Sequence, residues 1–257
     1  MTGGGRSARA GMTEDRSQSG NRLIAALRDE DRALLAPNLV PVALPRGTVL
    51  FEAGDDVTAC HFPCGPAQVS LIVARPDGAV AETATVGREG AIGGIVSLGH
   101  KPAFARAVAR IGGPALRIDT DRLEEIKARS AAFRDTMARY SDCLLAQVLQ
   151  SVACNVLHSA ELRLCRWLLT AQDRVGSDQI PLTQELLAEM LGVQRTTVTT
   201  VATSLQARGL IAYSRGRITV ADRLALEAAA CDCHSALVEH FDRVLPGVYP
   251  AFGRPTA

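Results

Sequence analysis

The stretch LTQELLAEMLGVQRTTVTTVATSLQARGLIAYSRGRITV, residues 182–220, decides the fold. A helix-turn-helix needs a small residue where two helices cross, a glycine able to reverse the chain in the left-handed region, and apolar contacts from the second helix. Ala188, Gly192, Val198 and Val201 supply these, at offsets of four, ten and thirteen from Ala188. Thr183 is placed to cap the first helix, with Gln184 and Glu185 in its first turn. The second helix then exposes Gln194, Arg195, Thr196, Thr199 and Thr200 opposite its apolar contacts, on the face that such motifs insert into a DNA major groove. Arginine can grip guanine O6 and N7 with two bonds, while glutamine and threonine reach base edges or phosphates.

Beyond this helix, residues 209–213 and 216–220 read as two strands joined through Ser214-Arg215-Gly216. That is a wing, with Arg215 and Arg217 placed for phosphate contact. From Val193 to Arg217 there are four arginines (Arg195, Arg208, Arg215, Arg217) and no acidic residue. A helical hairpin with a solvated charged surface, or a winged helix serving protein contact in a ligand- or redox-sensing module, are the alternatives. Neither explains the threonine-rich face, the wing and the acid-free stretch together.

The 257 residues as a whole are balanced: 28 Lys+Arg against 27 Asp+Glu, a formal charge of +1, and 47% hydrophobic residues. This excludes a polycationic nucleic-acid coat and a disordered or fibrous chain. Only Lys101 and Lys127 are lysines, so almost all positive charge sits on planar guanidinium groups, and its placement matters more than its sum. The length suggests one or two domains. Residues 1–20 are Gly-, Ser- and Arg-rich and lack the apolar segment of a secretory signal. No run of about 18 apolar residues suggests a membrane span. Seven cysteines, an odd number without a CxxC pair, do not make a disulfide framework, and a reducing cytoplasm is expected. No Walker A, HExxH or GxSxG pattern occurs, so no enzyme activity is expected.

Short apolar stretches at 39–44, 48–51, 69–74, 79–86, 103–111 and 115–118 alternate with turn signals such as Pro45-Arg46-Gly47, Pro76-Asp77-Gly78 and Gly112-Gly113-Pro114, which predicts a β-roll or sandwich. Between Ile118 and Val175 no glycine or proline occurs. There Phe133, Met137, Tyr140, Leu144, Val148, Val152 and Val156 trace one face of a long helix. The stripe serves either to pack on the chain's own β domain or to pair with a partner helix at a dimer axis.

With these features the chain resembles the CRP/FNR family of bacterial transcription regulators. The resemblance covers about residues 21–225. It rests on LPRGTVLFEAGD (residues 44–55), VGREGAIGG (86–94), the long helix and the stretch quoted first. It implies an α+β fold: a tail at 1–20, a cyclic-nucleotide-binding-like β-roll sensor at 21–125, a dimerisation helix at 126–157, a winged helix-turn-helix at 158–225 and a C-terminal extension at 226–257. It also implies a homodimer on palindromic double-stranded DNA, with RNA polymerase as a further partner and no membrane. The family's typical Arg-Glu-Thr-Val-x-Arg face reads here Arg195-Thr196-Thr197-Val198-Thr199-Thr200, so a different operator is expected. In the sensor, Gly94 stands where cyclic-nucleotide binders place a glutamate, and Arg106, in Ala105-Arg106-Ala107, is one place off. Gly93, Gly94 and Arg106 are the candidate effector residues, for a signal other than cyclic AMP, with simple turn geometry as the other role of the glycines.

No cofactor is expected. An iron–sulfur branch of the family uses N-terminal cysteines, and none precedes Cys60. Cys60-His61-x-x-Cys64 and Cys231-Asp232-Cys233-His234 lack four ligands at the usual spacing, and on a helix Cys231 and Cys233 would point apart, so no metal site is expected. Buried structural cysteines are the expected reading, and a redox or metal role, suggested only by the clustering, is the alternative.

Overall fold

The computed structural model describes residues 20–74, 80–214, 216–250 and 252. The expected tail, apart from Gly20, and the turn at Pro76-Asp77-Gly78 lie outside the described residues. Helices α1 (Arg22–Ala25) and α2 (Asp29–Leu35) lead into strands β1 (Val40–Leu44), β2 (Val49–Phe51), β3 (Ala59–Pro63), β4 (Gln68–Ala74), β5 (Val80–Val86), β6 (Arg106–Ile111) and β7 (Gly113–Asp119). The strands form two antiparallel sheets, ordered β1-β7-β3 and β2-β6-β4-β5. Leu44 and Ala115 from one sheet meet Val69, Val86 and Ala107 from the other in a small shared core. This is the β-roll.

Strand β3 is not signalled by the sequence, because Ala-Cys-His-Phe-Pro carries weak strand propensity. It forms because Cys60 and Phe62 are fully buried, and it lies at a sheet edge, where Pro63 is tolerated. His61 on this strand is buried, and its Nδ1 has no hydrogen-bond partner among the described residues. Burial, with the charge of Arg117 adding to it, pushes His61 down from 6.5 to about 4.

Two helices follow, not one. Helix α3 (Thr120–Arg129) stops at Ser130, whose extended backbone starts α4 (Ala131–Leu157). The Ser130 hydroxyl accepts a bond from the Phe133 amide (3.1 Å) and donates to the buried carboxylate of Asp31 (2.5 Å), so side-chain chemistry breaks a stretch free of glycine and proline. The apolar stripe of α4 also divides. Phe133, Met137 and Tyr140 are at most 1% exposed and share a core with Leu237, Val238 and Phe241 of the C-terminal helix. Leu145, Leu149, Val152 and Val156, further along, are all more than half exposed.

The remaining elements are α5 (Ala160–Val175), β8 (Gln179–Ile180), α6 (Gln184–Leu191), α7 (Arg195–Ala207), β9 (Ile211–Ser214), β10 (Arg217–Val220), α8 (Arg223–Ala228) and α9 (Cys233–Val244). After the wing the chain returns to the N-terminal unit, where α9 lies along α4.

A buried ionic cluster joins the two units. Arg174 on α5 is fully buried; its Nε lies 2.8 Å from Glu89, in the loop after β5, and its Nη2 donates to Gln147 of α4 at 3.0 Å. Burial works most strongly against the charge of Arg174, but Glu89 beside it, together with Tyr249 and Tyr140, holds the guanidinium above its ordinary range. Next to it, Asp173 is fully buried and takes Arg223 of α8 (2.9 Å), His234 of α9 (2.8 Å) and the Phe252 amide (3.1 Å).

Two outcomes follow from these burials. Arg174→Met leaves Glu89 buried without its cation and should lower the unfolding free energy by about 3–5 kcal/mol in denaturant titration; adding Glu89→Gln should cost less than the sum of the single changes. A loss below about 1 kcal/mol would place the pair outside the core. His61, neutral when folded, should make the chain less stable as pH falls from 6.5 towards 4, with stability complete above that window and up to about 3 kcal/mol lost across it. His61→Gln should flatten the stability–pH curve there, checked by urea midpoints at several pH values.

Candidate nucleic-acid interface

Thr183 adopts an extended backbone and its hydroxyl accepts from the Leu186 amide at 3.3 Å, capping α6. Gly192 closes α6 in the left-handed region (φ 62°), a conformation that a Cβ would strain, and the chain turns into α7. Six of the first seven residues of α7 after Arg195 are Thr or Val, a run with strand propensity. Packing overrides it. Val198, Ala202 and Leu205 are buried against Leu187, Leu191, Ile211 and Ile218, in a core that also takes in Trp167.

That burial fixes the opposite face. Gln194, Arg195, Thr196, Thr199, Thr200 and Thr203 are exposed, while Thr183 and Gln184 are half-buried beside them. Thr200 and Thr203 donate to the carbonyls four residues back, and the Thr199 hydroxyl lies within reach of Arg195 O (3.0 Å) and Gln184 Oε1 (2.9 Å). With their protons held by the protein, these threonines present methyl groups and acceptor lone pairs outward. The Gln184–Thr199 contact brings the two helices' candidate residues together. Thr203 joins the face although sequence reasoning did not include it; it stands one turn beyond Thr199, and that spacing is the signal for it.

Among the described residues Arg195 has no ion-pair partner. Arg208 is different: its guanidinium pairs with Glu161 at the start of α5, so the acid-free stretch is not uncompensated in three dimensions. Arg217 is exposed on β10 and donates to Gln179 Oε1 at 2.7 Å. Arg215 lies outside the described residues. The roll also touches this unit directly, through an ion pair between Arg110 of β6 and Glu189 of α6.

The three candidate effector residues do not converge. Gly93 (φ 97°) and Gly94 (φ 59°) line a cleft of about 740 Å³ with Phe51, Leu71, Leu144 and Val148, between the four-stranded sheet and α4. A Cβ on Gly93 would strike the Ala59 carbonyl and one on Gly94 the Thr120 methyl, so close approach of backbone accounts for both glycines. Arg106 is exposed at the start of β6, outside that cleft, and faces Glu52 at 3.3 Å. The two lysines hold the cleft's rim: Lys127 Nζ donates to the carbonyls of Ile95, Val96 and Ser97 (3.1–3.3 Å), and Lys101 pairs with Glu124 at 2.6 Å.

Residues 162–229 match the Crp-like helix-turn-helix domain. The C-terminal unit is a Crp-like helix-turn-helix domain. Solved structures extend the likeness across both units. They include FixK2 from Bradyrhizobium japonicum (TM-score 0.65, 14% identity, covering 75% of this chain and 98% of that one). A CRP-family transcriptional regulator from Thermus thermophilus gives 0.62 at 20% identity, over 74% and 96% of the two chains. The c-di-GMP responsive global regulator CLP from Xanthomonas campestris gives 0.61 at 15%, over 76% and 100%. The chain thus has the fold of the CRP/FNR regulators. No curated protein matches its sequence.

Proposed function

We propose that the protein is a homodimeric, sequence-specific regulator of transcription that binds double-stranded DNA through its Crp-like domain. The observation that carries this reading is the outward face of α7, where Arg195, Thr196, Thr199 and Thr200 stand opposite the buried Val198, Ala202 and Leu205 and beside the β9–β10 hairpin. A helix in the major groove uses such a face: Arg195 for guanine, threonine methyls for thymine, and no carboxylate for cytosine N4. Gln184, Gln194 and Thr183 flank it, and Arg215 and Arg217 take phosphates at the wing.

The dimer rests on α4. Leu145, Leu149, Val152 and Val156, spaced four, three and four, are 56–78% exposed and form a coiled-coil seam that no other described residue covers. A patch of this kind on a helix end marks a subunit contact. The seam begins past Tyr140, which is buried, so it is shorter than the sequence periodicity suggests: it keeps Val152 and Val156, but Leu144 and Val148 line the cleft and Leu145 and Leu149 take their place. The signal acts at the roll and is not cyclic AMP: the cleft beside Gly93 and Gly94 is largely apolar and Arg106 lies outside it.

In gel-shift selection from genomic fragments, Arg195→Ala should cost about 1–3 kcal/mol on the selected operator and relax one base preference, whereas Arg217→Ala should weaken all sequences alike and lower the salt slope by about 1. Binding without preference over bulk DNA would overturn the reading. Leu149→Glu should turn the dimer into a monomer in analytical ultracentrifugation while leaving the circular dichroism of the chain unchanged; a variant that stays dimeric would move the interface elsewhere.

A further inference from the structure

Four potential metal ligands, far apart in sequence, meet where the long helix gives way to the DNA-binding unit. Cys154 and His158 stand one turn apart at the end of α4, Cys231 follows α8, and Cys233 opens α9. One ligand atom from each lies within 4.8 Å of all the others. Cys154 Sγ is 3.7 Å from Cys231 Sγ, and Cys233 Sγ is 3.5 Å from His158 Nδ1.

These separations discriminate between chemistries. Tetrahedral zinc, with Zn–S about 2.3 Å and Zn–N about 2.0–2.1 Å, sets sulfur–sulfur edges of about 3.8 Å and sulfur–nitrogen edges of about 3.6 Å. The Cys154–Cys231 and Cys233–His158 separations match these two edges. A disulfide would need its sulfurs at about 2.0 Å and would leave His158 and Cys233 without a reason to converge. An iron–sulfur cluster spreads its four ligands over two or more irons and would hold those on different irons farther apart than the 4.8 Å found here. Three cysteines and one histidine are a closed structural zinc set. Three thiolates around a divalent ion carry one net negative charge, and the guanidiniums of Arg166 and Arg163 stand in Coulombic reach of Cys154.

We propose that Cys154, His158, Cys231 and Cys233 form a zinc site. It staples the segment that returns from the wing onto the end of α4, and so fixes the hinge at His158 and Ser159 from which the Crp-like domain departs. The sequence grouping Cys231-Asp232-Cys233-His234 concealed it for two reasons. Cys231 precedes α9 instead of lying within it, so its sulfur converges with that of Cys233 where a helix would part them. His234 turns the other way, to Asp173 at 2.8 Å, and its place is taken by His158 from another element.

The test uses the full chain, purified without chelator under reducing conditions and desalted. Elemental mass spectrometry should find about one zinc per chain. Titration of the metal-free chain with Co²⁺ should bring up thiolate-to-cobalt charge-transfer absorption and the intense visible bands of tetrahedral cobalt, both erased by Zn²⁺. Loss of an outer partner of a metal ligand already costs about 10–100-fold in affinity, so Cys231→Ser and the milder His158→Gln should weaken zinc binding by at least about tenfold. Cys165→Ala, at a buried cysteine outside the cluster, should not. No bound zinc together with no cobalt charge-transfer band would overturn the proposal. So would zinc bound equally by wild type and His158→Gln, or a Cys154–Cys231 disulfide in place of the metal. None of these readouts involves DNA, so they stand apart from the regulatory reading.

Discussion

The ion pair of Arg174 and Glu89 is the constraint on which the arrangement of the two units depends. Both side chains are excluded from water, so neither can be left without the other, and each belongs to a different unit. The glycines around Glu89 exist to permit it. A Cβ on Gly87 would lie 2.8 Å from Cγ of Arg174, and one on Gly90 would run into the Tyr140 hydroxyl, so the Gly87-Arg88-Glu89-Gly90 turn can press against α4 and α5 only without those side chains. What reads in sequence as turn chemistry in the roll is the contact surface for the helix that carries the Crp-like domain. Gln147, Asp173, Arg223 and His234 extend the same cluster into α4, α8 and α9, so one polar network touches nearly every element that sets the domain's orientation.

This placement bears on signalling. A ligand shifts a conformational equilibrium only by its differential affinity for the two states, so a signal in the cleft must favour one packing of α4. Leu144 and Val148 of α4 line that cleft, Gln147 of the same turn bonds Arg174, and Leu145 and Leu149 face outward. The cleft lining, the bond to the buried Arg174 and the exposed apolar seam thus sit on neighbouring residues of one helix. The Arg110–Glu189 pair gives the roll a second, direct hold on the reading unit.

Much of this was legible in the sequence where local chemistry decides the structure. Gly192, the Thr183 cap and the apolar spacing of Val198 and Val201 specify the helix-turn-helix without reference to anything distant, and the wing follows from the strands on either side of Gly216. Legibility failed where a distant segment decides. The stripe on α4 reads as continuous, but Phe133, Met137 and Tyr140 are covered by α9, a helix a hundred residues later whose destination no local pattern announces. Strand β3 owes its existence to burial of Cys60 and Phe62 under the helices, and Arg208 finds its carboxylate on another helix. The cysteine–histidine set failed for the same reason: its two halves lie 77 residues apart.

The last two turns of α4 show how these devices are combined. Val152 and Val156 point outward on the seam, while Cys154 and His158 each stand two residues further on, about 200° around the helix, on the side facing α9. The exposed seam and the proposed metal ligands are therefore on opposite faces of the same helix. Turning α4 about its axis to repack the seam would drag the ligand pair against Cys231 and Cys233, and loosening that cluster would free the seam to turn. The buried ion pair lies two turns earlier, at Gln147, and is indifferent to metal and thiol chemistry. On the proposals above, such a hinge would be held at one end by charge and at the other by soft ligands, so that a ligand in the cleft would act on the first and metal on the second, each through the angle at which α7 is presented.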